Sequence, residues 1–195
     1  MRIFIIVLFL ILNLQSWTKA DDIREFEIEG MSIGDSLLEH FNKSEIDKMV
    51  KDFYPNSDEY YLLNYNDVSK FELFTSAAFH IKKDDQNFII HSIKGGIYYP
   101  NELDKCKDKK DEVNDYLKSL FVNVEPYEYD YNYTVDDGKS IAYITDFEFA
   151  NNDSIRIFCV NWSKITEEKR NFVDNLALSI STGYFLDWVT NKANP

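Results

Sequence analysis

Histidine, cysteine, arginine and glycine are all scarce in this 195-residue chain, which has three, two, four and six of them respectively. Two cysteines cannot form a zinc ribbon, and no Walker, Rossmann or His-Glu-x-x-His pattern occurs. Asp-rich turns at 84–85 and 136–137 lack the spaced ligands of an EF-hand loop. We therefore expect no resident cofactor, and the common nucleotide-binding and metalloprotease classes are excluded.

Long apolar runs are also missing after the first twenty residues. Arg2 precedes an apolar run from Ile3 to Leu12, and Ala20 is a small residue at a suitable cleavage point. About a dozen apolar residues are too few to cross a bilayer, which needs roughly 20. The pattern predicts a signal peptide over residues 1–20, cleaved after Ala20, and a soluble periplasmic or secreted chain that has no membrane insertion after cleavage.

The charge is strongly acidic. Loss of Arg2 and Lys19 with the signal peptide takes the formal charge from −13 to −15. Such a surface repels nucleic acid phosphates, so no nucleic acid partner is expected. The acids are spread along the chain and aromatics make up 16% of it, which is typical of a folded domain. Residues 21–195 are long enough for one domain.

Cys106 and Cys159 are the two cysteines of the exported chain. Export places them where disulfides persist, and neither lies in a recognisable nucleophile signature. We expect them to form one disulfide bond. Because Cys106 lies on the apolar stripe of a predicted helix and Cys159 on the apolar face of a predicted strand, the bond would hold that helix on a sheet.

Residue periodicity predicts the elements. Two capping-box patterns, Ser32–Asp35 and Ser44–Asp47, each precede a helical apolar stripe, and the second stripe runs through Val50 and Phe53 to Pro55. A short strand is predicted over 26–31, and 56–70 is interpreted as a polar connection. Further strands are predicted over 71–83, 88–99, 127–135, 140–150 and 155–162, and further helices over 100–125 and 166–189.

These elements indicate an α+β fold with an antiparallel sheet of about five strands, covered on one face by helices. A hairpin followed by a helix occurs twice, at about 71–121 and 140–189. This order is compatible with duplicated ββα units, although no residue-level repeat supports the duplication.

Gly34-Asp35-Ser36-Leu37 is the signature tetrapeptide of the GDSL family of esterases and lipases. The resemblance implies that Ser36 would be the nucleophile, with a histidine near the C-terminus as its base. No histidine follows His91, and the oxyanion block of that family is missing, so this sequence departs from the pattern. Asp35 already has a structural role as a capping acid. A Ser36 hydrolase is therefore the less favoured alternative, and no catalytic residue is assigned.

His80 and His91 form a second candidate site. If residues 84–87 are the hairpin loop, the two histidines lie directly opposite each other on one sheet face. Two imidazoles at that distance could bind zinc or copper, but no third ligand is fixed by spacing. A solvated pair is the favoured interpretation, and metal binding is kept as an alternative.

Four tyrosines alternate along one predicted strand and form a candidate ligand surface: Tyr127, Tyr129, Tyr131 and Tyr133. An exposed ladder could stack sugar rings or bind a peptide, whereas a buried one would pack under a helix. The alternation with acidic residues favours the half-buried strand.

Two segments, Ser16-Trp-Thr-Lys-Ala-Asp-Asp22 and Phe26-Glu-Ile-Glu-Gly-Met-Ser-Ile-Gly-Asp-Ser-Leu-Leu38, resemble a group of small exported proteins of unknown function from marine bacteria with low-GC genomes. The resemblance implies a location in the bacterial envelope and carries no activity. Together with the composition, it favours a non-enzymatic binding or interaction protein whose partner is a protein or a small molecule.

Overall fold

An antiparallel sheet of eight strands forms the centre of the molecule. The computed structural model describes residues 22–193, so the predicted signal peptide lies outside the described residues. The strands are β1 Val50–Tyr54, β2 Ser57–Tyr65, β3 Ser76–Lys82, β4 Ile90–Tyr98, β5 Tyr127–Asn132, β6 Ile141–Glu148, β7 Ser154–Asn161 and β8 Asn175–Ser181. Their order across the sheet is β1-β2-β3-β4-β8-β7-β6-β5. Two four-stranded meanders therefore meet at β4 and β8, and β1 and β5 form the two edges.

The helices are short except for one. They are α1 Lys43–Ile46, α2 Leu103–Leu120, α3 Lys164–Arg170 and α4 Gly183–Trp188, and the chain continues from α4 into a π-helical turn over Val189–Ala193. Single 3-10 turns lie at Ile23–Glu25, Leu37–Glu39 and Val68–Lys70. Within residues 22–193, no helix has the combination of length and apolar character that a bilayer crossing requires.

One face of the sheet carries the main core. Buried apolar residues lie in register across six strands, in the row Leu63, Phe79, Ile93, Ile180, Ile155 and Phe147. Burying such side chains stabilises the fold by roughly 1.5–3 kcal/mol each. The segment from Ile23 to Met49 supplies part of the cover, and α2 packs on β7 and β8.

The disulfide bond between Cys106 and Cys159 is confirmed. It joins α2 to β7 with a Cα–Cα distance of 5.9 Å, and both residues belong to the main core. The helix is thus held covalently on the strand that it covers, as its apolar stripe predicts.

The predicted five-stranded α+β sheet with ββα units is wrong, because the sheet has eight strands and three of them, β1, β2 and β8, were predicted as other structures. The stretch 56–70, interpreted as a polar connection, contains the whole of β2, and the helix predicted over 166–189 contains β8. Leu176 and Ile180 are four residues apart, a spacing that fits one face of a helix and one face of a strand equally. Asn171, in the left-handed conformation, ends α3 and lets the chain enter β8.

The two predicted N-terminal helices are also largely wrong. The Asp35 carboxylate accepts a hydrogen bond from the amide of Ser32, but the Ser32 hydroxyl donates to the Phe26 carbonyl instead of to a helix N-terminus. Only half of the predicted capping box therefore forms, and the predicted α-helix does not follow it. A complete capping box forms instead between Asn42 and Glu45, and it begins the four-residue α1. Val50 and Phe53, placed on a helical stripe by their spacing, are exposed on the edge strand β1.

Removing the disulfide by a Cys106→Ser and Cys159→Ser double substitution should lower the free energy of unfolding. The two cysteines are 53 residues apart, and opening a loop of that length costs about 4 kcal/mol in the chain-entropy model. Urea unfolding of the double variant, beside the oxidised and the reduced wild type, measures the loss. A change of less than about 1 kcal/mol would mean that α2 packing alone fixes this part of the fold.

Candidate functional site

The second face of the sheet carries small and polar residues at its centre. Here β3, β4 and β8 present Ser76, Ala78, Gly96, Ala177 and Ser179 toward the same side. A Cβ on Gly96 would lie 2.8 Å from the Ser76 hydroxyl, so any larger residue at this position would displace the Ser76 side chain. Small side chains lower this part of the face relative to the aromatic groups at its two ends.

Lys94 stands in the middle of these small residues. It lies opposite Ala78 on β3 and opposite Ser179 on β8. The side chain reaches solvent, but the protein around it displaces much of the surrounding water, and this desolvation lowers the pKa of Lys94. Among residues 22–193, no side chain forms a salt bridge or hydrogen bond with its ammonium group, which is therefore a cation without a counter-ion in that part of the chain.

The neighbouring cation in the same row is neutralised. Ser179 pairs with Arg156 on β7, and Arg156 pairs with Asp146 on β6. The guanidinium donates two hydrogen bonds to the Asp146 carboxylate, each at 2.8 Å. The charge of Arg156 is thus neutralised within the fold. Lys94 is the cation of this row whose charge remains available to bind a ligand.

Lys94 forms part of the lining of a depression of about 390 Å³, here called the lysine depression. Asn64, Ser76 and Asn175 contribute polar groups to it, and Tyr98 and Phe172 contribute exposed aromatic surface. Its size lies at the lower end of the range for small-molecule sites. One cation, several hydrogen-bonding groups and two aromatic side chains can together hold a small polar anion.

The tyrosine ladder lies on the same face as Lys94. Tyr127 is 68% exposed and Tyr131 is 48% exposed, whereas Tyr129 is half-buried and donates to Asp146 at 3.0 Å. Tyr133 packs against Trp162, with ring centroids 4.8 Å apart.

Trp162 in turn packs on Phe172, with ring centroids 4.7 Å apart, and both side chains line the lysine depression. The ladder therefore leads to one wall of the depression through Tyr133, instead of packing under a helix.

The two histidines are not opposite each other. A bulge at His80 and Ile81 places His80 opposite Ser92, one residue away from the predicted partner His91. His91 packs against Tyr60, with ring centroids 5.1 Å apart. In the part of the chain that the structure describes, no three metal-ligating side chains lie together.

His80 belongs to an aromatic cluster beneath α4. Its Nε2 atom lies 2.8 Å from the Tyr54 hydroxyl, and its ring packs against Phe185 at a tilt, with centroids 4.3 Å apart. Burial, assisted by the charge of Lys94, lowers the pKa of His80 to about 3. The imidazole is thus neutral and has a packing role in the folded protein.

Ser36 has the contacts of a capping residue. Its hydroxyl accepts the amide of Leu38 at 3.2 Å and donates to the carbonyl of Asn87. Within residues 22–193, neither of the two hydrogen bonds of the Ser36 hydroxyl involves a histidine. The GDSL tetrapeptide therefore lies in a structural turn, where Ser36 caps the 3-10 turn that follows.

No protein-family model, curated protein or solved structure matches this chain. What the protein can bind therefore follows from its own side chains. Sequence reasoning missed Lys94, because the small residues Ser92, Gly96, Ala177 and Ser179 mark a depression only once β4 and β8 are known to be neighbours.

The buried His80 should make the folded state sensitive to acid. An imidazole titrates near pH 6.5 when unfolded, so below that pH the unfolded chain binds a proton that the folded chain excludes. Stability is therefore lost as the pH falls from about 6.5 toward 3. At pH 4.5, two units below the unfolded value, the loss is about 3 kcal/mol, since one pKa unit corresponds to about 1.4 kcal/mol.

Urea unfolding at pH 7 and pH 4.5 tests this, with His80→Gln compared with the wild type and with His40→Gln, which removes a histidine outside the aromatic cluster. The difference in stability between the two pH values should be smaller in His80→Gln. The same difference in all three proteins would show that His80 does not control acid sensitivity.

Proposed function

We propose that this chain is a non-enzymatic binding protein of the bacterial envelope that takes a small anionic solute in the lysine depression. The observation that carries the proposal is the solvent-accessible Lys94 ammonium, which has no counter-ion within residues 22–193. Arg156, the nearest cation in its row, is already paired with Asp146.

Desolvation makes an anion a favourable partner for Lys94. The ammonium has lost part of its hydration on the sheet face without gaining a charged neighbour, as its lowered pKa indicates. A carboxylate or phosphate oxygen at Lys94 would restore that interaction, and hydrogen bonds to charged groups contribute about 1.5–3 kcal/mol. The acidic surface opposes this only weakly, because charges beyond about 8 Å are largely screened at physiological ionic strength.

The rest of the lysine depression suits a ligand that also carries hydroxyl groups and an apolar edge. Asn64, Asn175 and Ser76 can donate and accept hydrogen bonds, and Tyr98 and Phe172 offer aromatic surface. A carboxylated sugar or a hydroxy acid has these features. Such a ligand would contact Lys94 through its anionic group and the walls through its carbon skeleton.

Export from the cytoplasm is the second part of the proposal. The charge and apolar pattern of residues 1–20 is typical of a cleaved signal peptide, and disulfides such as Cys106–Cys159 persist in oxidising compartments. The resemblance to small exported marine bacterial proteins supports the same location. A binding protein there would meet small solutes before they reach the inner membrane.

Titration calorimetry at physiological ionic strength, where the acidic surface is screened, tests the binding site with galacturonate, and with galactose as the matched sugar that lacks the carboxylate. We expect galacturonate to bind and galactose to bind at least tenfold more weakly, a difference of about 1.4 kcal/mol. The substitution Lys94→Met should remove that preference. Lys139→Met removes the same charge from an exposed turn residue and is the matched control.

Inorganic phosphate and succinate are titrated in the same way, so that other anionic groups are also sampled. Binding of the anions should weaken as the pH rises, because a neutral Lys94 amine no longer attracts them. Failure of all three anions to bind the wild type, or equal binding by the wild type and Lys94→Met, would refute the assignment of Lys94.

A further inference from the structure

The covered face of the sheet has a gap in its cover, remote from the lysine depression. Between the N-terminal segment and α2 lies a space of about 420 Å³, here called the apolar hollow. Ile97 on β4 and Leu176 and Leu178 on β8 form its floor, and Phe74 and Val113 are among its wall residues. Core residues of the central strands thus form the floor of a gap in the layer above them, and Ile97 is the partly exposed one of the three.

The wall beside β3 is fixed in place. The Glu29 carboxylate accepts the backbone amides of Glu72, Leu73 and Phe74 at 2.9, 2.8 and 3.0 Å. On the sheet, a Cβ at Gly95 would lie 2.5 Å from the Phe74 ring, so glycine allows that ring to rest directly on β4. These contacts hold the hollow open without a ligand, which reduces the entropy cost of binding.

The lip of the hollow is apolar. Leu73 is 73% exposed on one side, and Tyr116 of α2 is 57% exposed on the other. Large exposed side chains on both sides of an apolar hollow are typical of a binding surface.

The rim of the hollow is negatively charged. Glu25 and Glu27 are exposed there, and neither forms a salt bridge within residues 22–193. The cation at the rim, Lys109, is paired with Glu112 at 2.7 Å. An occupant that carries a positive charge next to an apolar group would complement this arrangement, whereas an anion would be repelled.

We propose that the apolar hollow binds an organic cation consisting of one aliphatic chain and a cationic head group. The chain would lie on Ile97, Leu176 and Leu178, and the head group would lie between Glu25 and Glu27. A volume of about 420 Å³ lies at the lower end of the range for small-molecule sites, so a slender small molecule is the fitting occupant. The ligand proposed for the apolar hollow is a cation, whereas the ligand proposed for the lysine depression is an anion. The two proposals are independent of each other.

Titration calorimetry with three probes separates the contributions of chain and charge. Dodecyltrimethylammonium, kept below its micelle concentration, should bind one molecule per protein at low ionic strength. Dodecyl sulfate has the same chain and the opposite charge, and should bind about tenfold more weakly. Tetramethylammonium has the head group alone and should not bind measurably.

Two variants assign the binding to the hollow. Glu25→Gln with Glu27→Gln should lower the affinity for dodecyltrimethylammonium at least threefold, whereas Glu125→Gln with Glu168→Gln removes two exposed acids elsewhere and should not. Val113→Trp should fill the hollow and abolish binding. Val122→Trp makes the same change at an exposed position beyond the end of α2, and should bind like the wild type.

Equal affinities for the two dodecyl probes would overturn the proposal, because charge would then have no part in recognition. Unchanged binding in the Glu25 and Glu27 double variant would overturn it as well. These two results do not depend on Val113→Trp, so the proposal stays testable if that variant fails to fold.

Discussion

The pairing of β4 with β8 is the constraint on which the rest of the structure depends. It joins two meanders whose paired residues are far apart in sequence, with Ser92 and Ser181 hydrogen-bonded across 89 positions. On one face the pairing sets Ile93 against Ile180 and completes the buried row. On the other it sets Lys94 against Ser179. Core and candidate site thus depend on the same register. A slip of one residue in this pairing would turn the apolar side chains of a strand to the polar face and its polar side chains to the core.

Local patterns were enough to predict the elements that form from neighbouring residues. The helix over 103–120, the hairpin of β3 and β4, and the meander from β5 to β7 all follow from periodicity and turn residues. The disulfide was also predictable, because Cys106 lies on the apolar face of a helix and Cys159 on the apolar face of a strand, and such faces pack against each other. Such signals are contained within a few turns or one strand pair.

The errors have physical causes of two kinds. The segment 175–181 was predicted as helix because spacing by four residues is common to both structures, and the tertiary pairing with β4 and β7 decides between them. The predicted opposition of His80 and His91 failed because one bulge shifts the register by one residue. A bulge leaves little trace in a polar and aromatic hairpin sequence.

The candidate site could not be predicted for a related reason. Lys94 acquires its significance from Ala78, Ser179 and Arg156, which lie on three other strands and come together only in the folded sheet. In the sequence it is one of many lysines, set in a strand with ordinary composition. The alternating small residues around it indicate a depression only after the strand order is known.

β1 and β5 are the two edge strands of the sheet, and each pairs with one neighbouring strand in the part of the chain that the structure describes. On β5, Glu128 and Asp130 alternate with the tyrosines and are exposed. If two copies approached along this edge, their carboxylates would meet at close range and repel each other. The acidic residues between the tyrosines thus disfavour edge-to-edge pairing of two copies, which would extend the sheet through an exposed aromatic strand.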